Sequence, residues 1–514
     1  MHTPTTSGPA ESMHRKVAQV LRQVFVLFFY LLLAVFAQAL LGTNVIAAPA
    51  PSAARVRTPG ATSAARQTVR RIKPAPAPTA IVITLDGVTY PWTDAGFSAA
   101  LAAAGANGTV VLPANAVVTL TTDHTISDDD LTVRCEPGAA FVSGVDQTSL
   151  ITITGTGDEV LGCEFAGGSD SHSNPIFLWN SNGARIQGDI ASGFVGVSTA
   201  FVYLVGASSS IVQGNQCTVA AGGASCIFGE KDSVGTLVRD NELDESRGGT
   251  DAHAITFHST NSGMSVSGTQ IFDNSMVGGQ GFCVEIGAFG GEPVDGFVIS
   301  GNSCKMGASG LGGYSVGSAA AFWTVSNNTF DANGYVPAIS CLEVAGATDG
   351  ILLGNSCDGG NISLSNTQAQ RVTISSNVIY NFNRTANAGI YMGTAVTSGE
   401  MADNVVVSNL IHLPPGVATI GIWQQCLAHN SVCSNNSFYY NTIVSDGTPG
   451  SVGIKFENDY GTSSNETVGP NTFRTPYETV VEVGAITFTS SAGPSNPTLP
   501  QSRIYQDLSS APAR

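Results

Sequence analysis

Charged side chains are scarce in this 514-residue chain, where Asp, Glu, Lys and Arg together make up only 11% of the residues. Helices stabilised by surface ion pairs need a larger fraction of charged residues than this, so we do not expect a helical protein. Basic residues are scarcer still beyond residue 79. Residues 1–79 hold nine Lys or Arg and one acidic residue, so the totals of 21 and 38 leave 12 basic and 37 acidic residues in 80–514, a formal charge of −25. A surface this acidic repels nucleic acid, anionic membranes and, unless a divalent cation bridges them, polyanionic sugars.

Glycine is abundant, with 59 residues, and an asparagine recurs along the chain. Each recurrence is followed two positions later by an apolar or sulfur-containing side chain. Gaps of 22 to 35 residues separate these asparagines: Asn215, Asn241, Asn274, Asn302, Asn328, Asn355, Asn377, Asn409, Asn436 and Asn471. A repeat of about 20–50 residues is typical of a solenoid, and this unit holds short β-branched runs and no helix. Asn tolerates the left-handed backbone of sharp corners. We therefore predict an all-β fold, a single parallel β-helix.

A short helix is predicted ahead of the repeats. Thr93 and Asp94 precede an Ala-rich stretch, Ala95–Gly105, with N-capping chemistry at its start. An open β-helix end exposes strand edges, so the helix is well placed to cap it. The segment AALAAAGANGTVVLPANAVVTL (residues 99–120) resembles the N-terminal capping segment of the pectin-lyase-like superfamily. The resemblance covers roughly residues 82–480 and implies a right-handed parallel β-helix with a short N-terminal capping helix.

Four regions follow from composition. Residues 1–46 carry basic residues and then a long apolar run, Val24–Leu41, typical of a signal peptide or a membrane anchor. Residues 47–79 are predicted to be a disordered Ala/Pro-rich linker, and 80–485 the β-helix domain. Residues 486–514 are interpreted as a C-terminal tail, loose or in an oligomer contact. We expect the repeat domain to be secreted, periplasmic or on the cell surface, with the membrane as a partner only through the N-terminal anchor.

The ten cysteines show no CxxC cluster or Cys/His spacing typical of zinc. In an exported protein they favour disulfides, and Cys426–Cys433 and Cys135–Cys163 are the candidate pairs. Three others occupy the apolar position that follows the repeated asparagine, and we interpret them as unpaired core residues: Cys217, Cys304 and Cys357.

A second strand in each repeat alternates apolar and polar residues, so its outward positions should form two columns down one face. The first is predicted to contain Ile227, Thr256, Glu285, Ser315, Glu343, Ser363, Tyr391, Trp423 and Lys455. The second is predicted to contain Gly229, His258, Gly287, Gly317, Ala345, Ser365, Gly393, Gln425 and Glu457.

Glu285 and Glu343 are the leading catalytic candidates. They should lie two coils apart, with backbones about 9.5 Å from each other, near the upper limit of the carboxylate separation in inverting glycosidases. Tyr391 and Trp423, on the same column, are expected to stack against sugar rings. The alternative is that outward strand positions are simply often polar.

The coil from Glu230 to His258 is rich in ionisable residues, which is typical of sites that transfer protons. His258, His253 and Asp251 are further acid/base candidates beside Glu285, and Glu230 and Arg247 are candidate substrate-binding residues. The alternative is a long exposed loop that collects charge.

Polygalacturonase-type β-helices carry Asn-Thr-Asp, Asp-Asp, Gly-His-Gly and Arg-Ile-Lys signatures. In the repeat domain only the Asp-Asp occurs, within Asp128–Asp130, so no catalytic residue is transferred from them. The strands CVEIGA (Cys283–Ala288) and CLEVAG (Cys341–Gly346) resemble paired strands of difructose-anhydride-forming fructotransferases.

Three function classes stay open. The first is a carbohydrate-active enzyme that cleaves glycosidic bonds of an extracellular glycan through carboxylate acid/base catalysis. The second is a polysaccharide lyase or epimerase that uses calcium near Asp244 and Asp251. The third is a non-enzymatic, glycan-binding or adhesive surface protein. A polysaccharide or glycan is the expected partner in all three.

Overall fold

The structure, a computed structural model, describes residues 81–83, 88–220, 222–249, 252–260, 264–288, 292, 294–307, 311–334, 340–365, 368–382, 388–394, 397–458, 461–474 and 479–483. The predicted signal peptide or anchor, the linker and the tail lie outside the described residues. Within these ranges no helix combines the length and the apolar character needed to cross a bilayer.

Short strands stack into three long sheets, because each coil contributes one strand to each sheet. Sheet A has 16 strands: β1 Ile81–Ile83, β2 Thr89–Tyr90, β3 Thr109–Leu112, β6 Thr132–Cys135, β9 Glu159–Leu161, β12 Arg185–Gln187, β15 Ile211–Gln213, β18 Leu237–Arg239, β21 Gln270–Phe272, β25 Val298–Ser300, β29 Thr324–Ser326, β32 Ile351–Leu353, β36 Thr373–Ser375, β40 Val405–Val407, β44 Ser437–Tyr439 and β48 Thr467–Val468.

Sheet B has 14 strands: β4 Val117–Leu120, β7 Ala140–Ser143, β10 Glu164–Ser171, β13 Ile190–Phe194, β16 Gln216–Thr218, β19 Glu242–Asp244, β22 Ser275–Gly278, β26 Ser303–Met306, β30 Thr329–Asp331, β33 Ser356–Asp358, β37 Val378–Tyr380, β41 Leu410–His412, β45 Thr442–Val444 and β49 Thr472–Arg474.

Sheet C, also of 14 strands, carries the candidate site: β5 His124–Ile126, β8 Ser149–Ile153, β11 Asn174–Trp179, β14 Gly196–Val205, β17 Gly223–Glu230, β20 Ile255–Ser259, β23 Phe282–Ala288, β27 Gly312–Val316, β31 Ser340–Ala345, β34 Asn361–Ser365, β38 Ala388–Thr394, β42 Ile420–Cys426, β46 Val452–Asn458 and β50 Thr479–Val483. Two small sheets complete the described strands: β24 Val294–Asp295 with β28 Ala320–Ala321, and β35 Gln368–Gln370, β39 Glu400–Ala402, β43 Val432–Ser434 and β47 Thr462–Ser464.

The strand pairings define the architecture. β1 pairs antiparallel with β2 and β3, whereas the other described pairs are parallel and link one coil to the next. Inward apolar side chains from the three sheets fill one continuous core. The predicted all-β fold, a single right-handed parallel β-helix, is confirmed.

The single described helix, α1 (Asp94–Ala104), lies at the N-terminal end of the coils. Thr93 is its N-cap, and the Thr93 hydroxyl accepts the Gly96 N–H at 3.1 Å. Phe97 is fully buried, with its ring centroid 4.8 Å from that of Phe141 in β7. The helix therefore covers apolar side chains of the first coils, as predicted.

A ladder of buried asparagine amides runs between sheets A and B. Asn328 shows the pattern: its Oδ1 accepts the backbone N–H and the Nδ2 of Asn302, each at 2.9 Å. Its Nδ2 donates to Asn355 Oδ1 at 3.1 Å and to the Ile299 carbonyl at 3.0 Å. Each amide thus joins its own corner to the coils on either side, and the coils are held in register.

The structure corrects two details of that ladder. Asn436 is not a member, and Asn441 takes the place between Asn409 and Asn471. Asn436 belongs to a second ladder, from Asn404 to Glu466, which serves an extra corner created where β43 precedes β44. The two corners use the same turn chemistry, so their local sequences look alike.

The left-handed residue at these corners is the one before the ladder asparagine, with φ between 53° and 71°: Gly214, Asp240, Asp273, Gly301, Asn327, Gly354, Ser376, Ser408 and Tyr440. The asparagine itself is not left-handed. The bend is made one residue early, which turns the amide inward to its hydrogen-bond partners.

All ten cysteines are paired in five disulfides. Cys426–Cys433 and Cys135–Cys163 form the predicted pairs. The interpretation of three others as unpaired was wrong, since the bonds are Cys217–Cys226, Cys283–Cys304 and Cys341–Cys357. They are buried as expected, but each bond joins a sheet B strand to a sheet C strand of the same or the adjacent coil.

We predict that Asn328→Ala destabilises the β-helix strongly, because it leaves the Asn302 N–H and the Ile299 carbonyl unpaired in the interior. The free energy of unfolding in urea should fall by about 3 kcal/mol. Asn182→Ala is the control, since Asn182 is exposed and accepts one surface hydrogen bond from Ser208. Equal losses in the two variants would contradict the structural role of the ladder.

Candidate functional site

The outward face of sheet C carries the candidate residues in columns, as strand alternation requires. Thr256 pairs with Glu285, Glu285 with Ser315, and Ser315 with Glu343, so the two glutamates lie on one face two coils apart. The same column continues through Ser363, Tyr391, Trp423 and Lys455.

The predicted columns were wrong by one residue in β17. Phe228 pairs with Thr256, and Glu230 pairs with His258, so Ile227 and Gly229 point inward. Gly229 is needed there because a Cβ would lie 2.3 Å from the buried Phe257 ring. The correction brings Glu230 onto the outward face, in the column of His258.

Two histidines converge on Glu285. The Glu285 Oε2 lies 2.8 Å from His258 Nε2 and 3.3 Å from His253 Nε2. The backbone N–H of Phe282 donates to His253 Nδ1 at 2.9 Å, so that nitrogen carries no proton. His253 is therefore held as the neutral Nε2–H tautomer, which donates to the carboxylate. The loop before β20 and the start of β23 thus fix the position of Glu285.

The environments of the two glutamates push their pKa values apart. Burial raises the pKa of Glu285, but the His258 hydrogen bond and the electrostatic interactions with His253 and His258 outweigh it, so the pKa is lowered. Burial raises the pKa of Glu343, and the charge of Glu285 raises it further. Glu285 is thereby favoured as a carboxylate and Glu343 as a carboxylic acid. Such a divided pair is the usual arrangement for separate base and acid roles.

Glu230 is buried beside this cluster, and both of its carboxylate oxygens have hydrogen-bond partners. Its Oε1 accepts from the Tyr203 hydroxyl at 2.8 Å and lies 2.7 Å from Lys231 Nζ. Its Oε2 accepts from the Thr260 hydroxyl at 3.3 Å. Burial and the bond to Glu230 raise the pKa of the Tyr203 phenol. Tyr203 and Thr260 were missed at the sequence level, and the corrected register of β17 is the signal that points to Tyr203.

Tyr391 and Trp423 lie beyond Glu343 on the same column. Their ring centroids are 5.5 Å apart in an edge-to-face contact, and the Tyr391 hydroxyl donates to Gln425 Oε1 at 3.2 Å. Lys455 Nζ sits 5.5 Å from the Trp423 ring centroid. The predicted sugar-stacking pair is thus on the predicted face.

Of the other described members of the charged coil, Arg247, Glu245 and Asp244 do not join the site. Arg247 is exposed in the turn after β19, and Asp251 lies outside the described residues. Glu245 is completely buried, and burial raises its pKa well above the usual range despite the Cys226 N–H. Asp244 Oδ1 accepts the Ser246 N–H at 2.9 Å.

The calcium hypothesis named Asp244 and Asp251 as the carboxylates near the ion. Within the parts of the chain that the structure describes, no three His, Cys, Asp or Glu side chains are grouped so as to hold a metal ion. Asp251, one of the two carboxylates suggested for calcium, is not among those parts.

Comparison with known proteins places the chain among β-helix proteins without separating the function classes. No family profile matches the chain, and no curated protein sequence matches it. Similar solved structures include a GH87 α-1,3-glucanase catalytic unit from Streptomyces thermodiastaticus (14% identity, TM-score 0.48, covering 75% of this chain and 66% of that one). Two more are the surface adhesin PfbA of Streptococcus pneumoniae (12%, 0.46, 72% and 89%) and a PL6 alginate lyase (14%, 0.43, 74% and 83%).

These likenesses concern the winding of the chain alone. The match spans just under two thirds of the glucanase unit. All three TM-scores are below 0.5, so these likenesses carry no argument about function.

We predict opposite effects of two isosteric substitutions on stability. Because its pKa is raised, the stability that Glu343 contributes is fully present below pH 4.5, its ordinary pKa, and is lost as the pH rises through the folded-state pKa. Because its pKa is lowered, the stability that Glu285 contributes is present above pH 4.5 and is lost as the pH falls through the folded-state pKa. At pH 7, Glu343→Gln should therefore raise the melting temperature and Glu285→Gln should lower it, each by about 1–2 °C.

Differential scanning calorimetry at pH 7 and pH 4 measures both effects, and both differences should shrink at pH 4. Shifts of the same sign at pH 7 would contradict the divided pKa values.

Proposed function

We propose that the chain is a carbohydrate-active enzyme that hydrolyses glycosidic bonds of an extracellular glycan, with Glu343 as general acid and Glu285 as general base. The observation that carries the proposal is the pair of outward carboxyl groups on one face of sheet C, with the pKa of Glu285 lowered and that of Glu343 raised. Their backbones are about 9.5 Å apart, which favours the inverting arrangement with a water between acid and base.

The proposed reaction is a single displacement. Glu343 gives its proton to the glycosidic oxygen as the bond from that oxygen to the anomeric carbon breaks. Glu285 takes a proton from a water whose oxygen forms the new bond to the same carbon. The products are two shorter glycans, and the proton on Glu285 returns to Glu343 through solvent.

His258 and His253 are positioning residues in this proposal. Their two Nε2 atoms lie 2.8 and 3.3 Å from Glu285 Oε2, which fixes the carboxylate and favours its ionised form. The small Ser315 side chain lies between the two glutamates on the column, and the sugar is proposed to lie over it. Glu230, braced by Tyr203 and Lys231, is proposed to accept hydrogen bonds from sugar hydroxyls at the same face.

An uncharged glycan fits the charge of this face. A lyase or epimerase must neutralise the carboxylate of a uronic acid, which needs a cation beside the base. Lys231 Nζ is already 2.7 Å from Glu230, and Arg247 is exposed in a turn. An exported location is supported by the five disulfides, which persist in oxidising compartments.

We predict that Glu285→Gln and Glu343→Gln each reduce turnover by at least about 100-fold, because each removes one partner of the proton transfer. The assay follows reducing ends and ultraviolet absorbance on a panel of neutral and acidic polysaccharides. Glu242→Gln, an exposed residue of sheet B, is the control and should be fully active.

New reducing ends without absorbance support hydrolysis, whereas both signals together indicate a lyase. Binding without either signal indicates an adhesive or glycan-binding protein. Full activity in either glutamate variant would refute the assigned roles.

We also predict a bell-shaped pH profile of kcat/KM, since Glu285 must be ionised and Glu343 protonated. Activity should fall at low pH as Glu285 gains a proton and at high pH as Glu343 loses one. His258→Asn should move the acidic limb to higher pH, because Glu285 loses the hydrogen bond and charge that lower its pKa. The basic limb should stay in place, and movement of that limb alone would contradict the assignment.

A further inference from the structure

A row of aromatic side chains on sheet C leads to the carboxylate cluster from the N-terminal side. Phe177, Tyr203 and Phe228 follow one another in the column that contains Glu285. Their ring centroids are 5.2 Å apart at each step. Trp179, 44% exposed, stands beside Phe177 at 5.5 Å. We call these four residues the aromatic row.

The rings are not one uniform stack. Tyr203 is nearly parallel to Phe177, at 28°, so its faces are directed along the column. Phe228 is turned 73° from Tyr203 and 74° from His258, so both contacts are edge-to-face. Phe228 remains partly exposed, so part of its ring is open to a ligand.

The row has a counterpart on the other side of the carboxylates. Phe228 lies two coils before Glu285, and Tyr391 lies two coils after Glu343. The outward positions between these aromatics are small residues or the glutamates themselves. Aromatic surface thus flanks the acid and base at equal distances on both sides.

We propose that the aromatic row is a set of glycan-binding subsites, so that an uncharged polysaccharide lies along the stacked coils and is cleaved at an internal bond. The cleavage in this inference rests on the proposed function, whereas the binding of the polysaccharide does not. The C–H faces of pyranose rings are apolar and pack on aromatic rings. From Phe177 to Trp423 there are nine coil steps of about 4.8 Å, a track of about 43 Å, which is far longer than a disaccharide. The Phe228–His258 ring contact, at 5.8 Å, makes the row continuous with the acid/base cluster.

The test uses the double variant Phe177→Ala/Trp179→Ala, because these two residues lie at the end of the row farthest from Glu285. Tyr440→Ala is the matched control, as Tyr440 is 63% exposed at a corner between sheets A and B. Binding is measured by affinity electrophoresis in gels containing laminarin, mixed-linkage glucan, galactomannan or hydroxyethyl cellulose, with alginate as the anionic comparison. All proteins carry Glu343→Gln so that the polysaccharide stays intact.

The protein with an intact row should be retarded by at least one neutral polysaccharide, and the double variant should bind it about tenfold more weakly. Without Glu343→Gln, the double variant should show a raised KM with unchanged kcat on the polysaccharide, and unchanged kinetics on short oligosaccharides. Early products from the wild type should be of intermediate length. The inference would be overturned if the double variant and the protein with an intact row were retarded equally, or if no neutral polysaccharide retarded the protein with an intact row.

Two further outcomes separate this inference from the proposed function. Loss of retardation in the double variant, without any cleavage by the wild type, leaves the row as a binding site and refutes the hydrolase. Cleavage by the wild type with unaltered binding in the double variant keeps the hydrolase and refutes the row. If sedimentation shows a dimer that the double variant abolishes while retardation is unchanged, the occupant is a second copy of the chain, and the inference is refuted.

Discussion

The amide ladder between sheets A and B is the constraint on which the rest of the structure depends. From Asn215 to Asn441, each ladder asparagine satisfies a backbone N–H and a backbone carbonyl of neighbouring coils as well as the next amide. These bonds form only when the asparagines of successive coils are aligned directly above one another. Loops of very different length can then leave the coils without disturbing the register. The strands of sheet C keep the same register. For this reason Glu285 and Glu343, 58 positions apart in the chain, lie on one column.

Glu285 and Glu343 lie on one regular column, but they differ chemically because their neighbours differ. Both glutamates are desolvated, which alone would raise both pKa values. Only Glu285 receives histidines, one from the outward column of β20 and one from the loop before it. A regular column therefore carries two carboxyl groups with different preferred charges. The Phe282 N–H to His253 Nδ1 bond completes this arrangement, because it decides which histidine nitrogen faces the carboxylate.

Features that recur in every coil could be predicted from the sequence, whereas features that belong to a single coil could not. Strand alternation correctly put Glu285, Glu343, Tyr391 and Trp423 on one face. It failed at Ile227, because the large Phe257 ring of the next coil requires the inward Gly229 and so shifts the apparent pattern. Asn436 was misassigned because an extra corner uses the same turn chemistry. The three missed disulfides depend on distances across the core between sheets, which no local pattern records.

The distribution of cations around the face bears on which reaction class the site favours. Abstraction of a proton beside a uronate carboxylate needs a positive charge held against that carboxylate, and the acidic domain supplies few. Lys231 is neutralised by Glu230, and Lys455 lies over Trp423 with its Nζ 3.5 Å from Glu457, at the opposite end of the column from Phe177. The centre of the column instead offers two carboxyl groups, one with a lowered and one with a raised pKa, and aromatic rings lie further along the column on both sides. Those groups suit proton transfer to and from the oxygen atoms of an uncharged sugar, because neither step needs a cation.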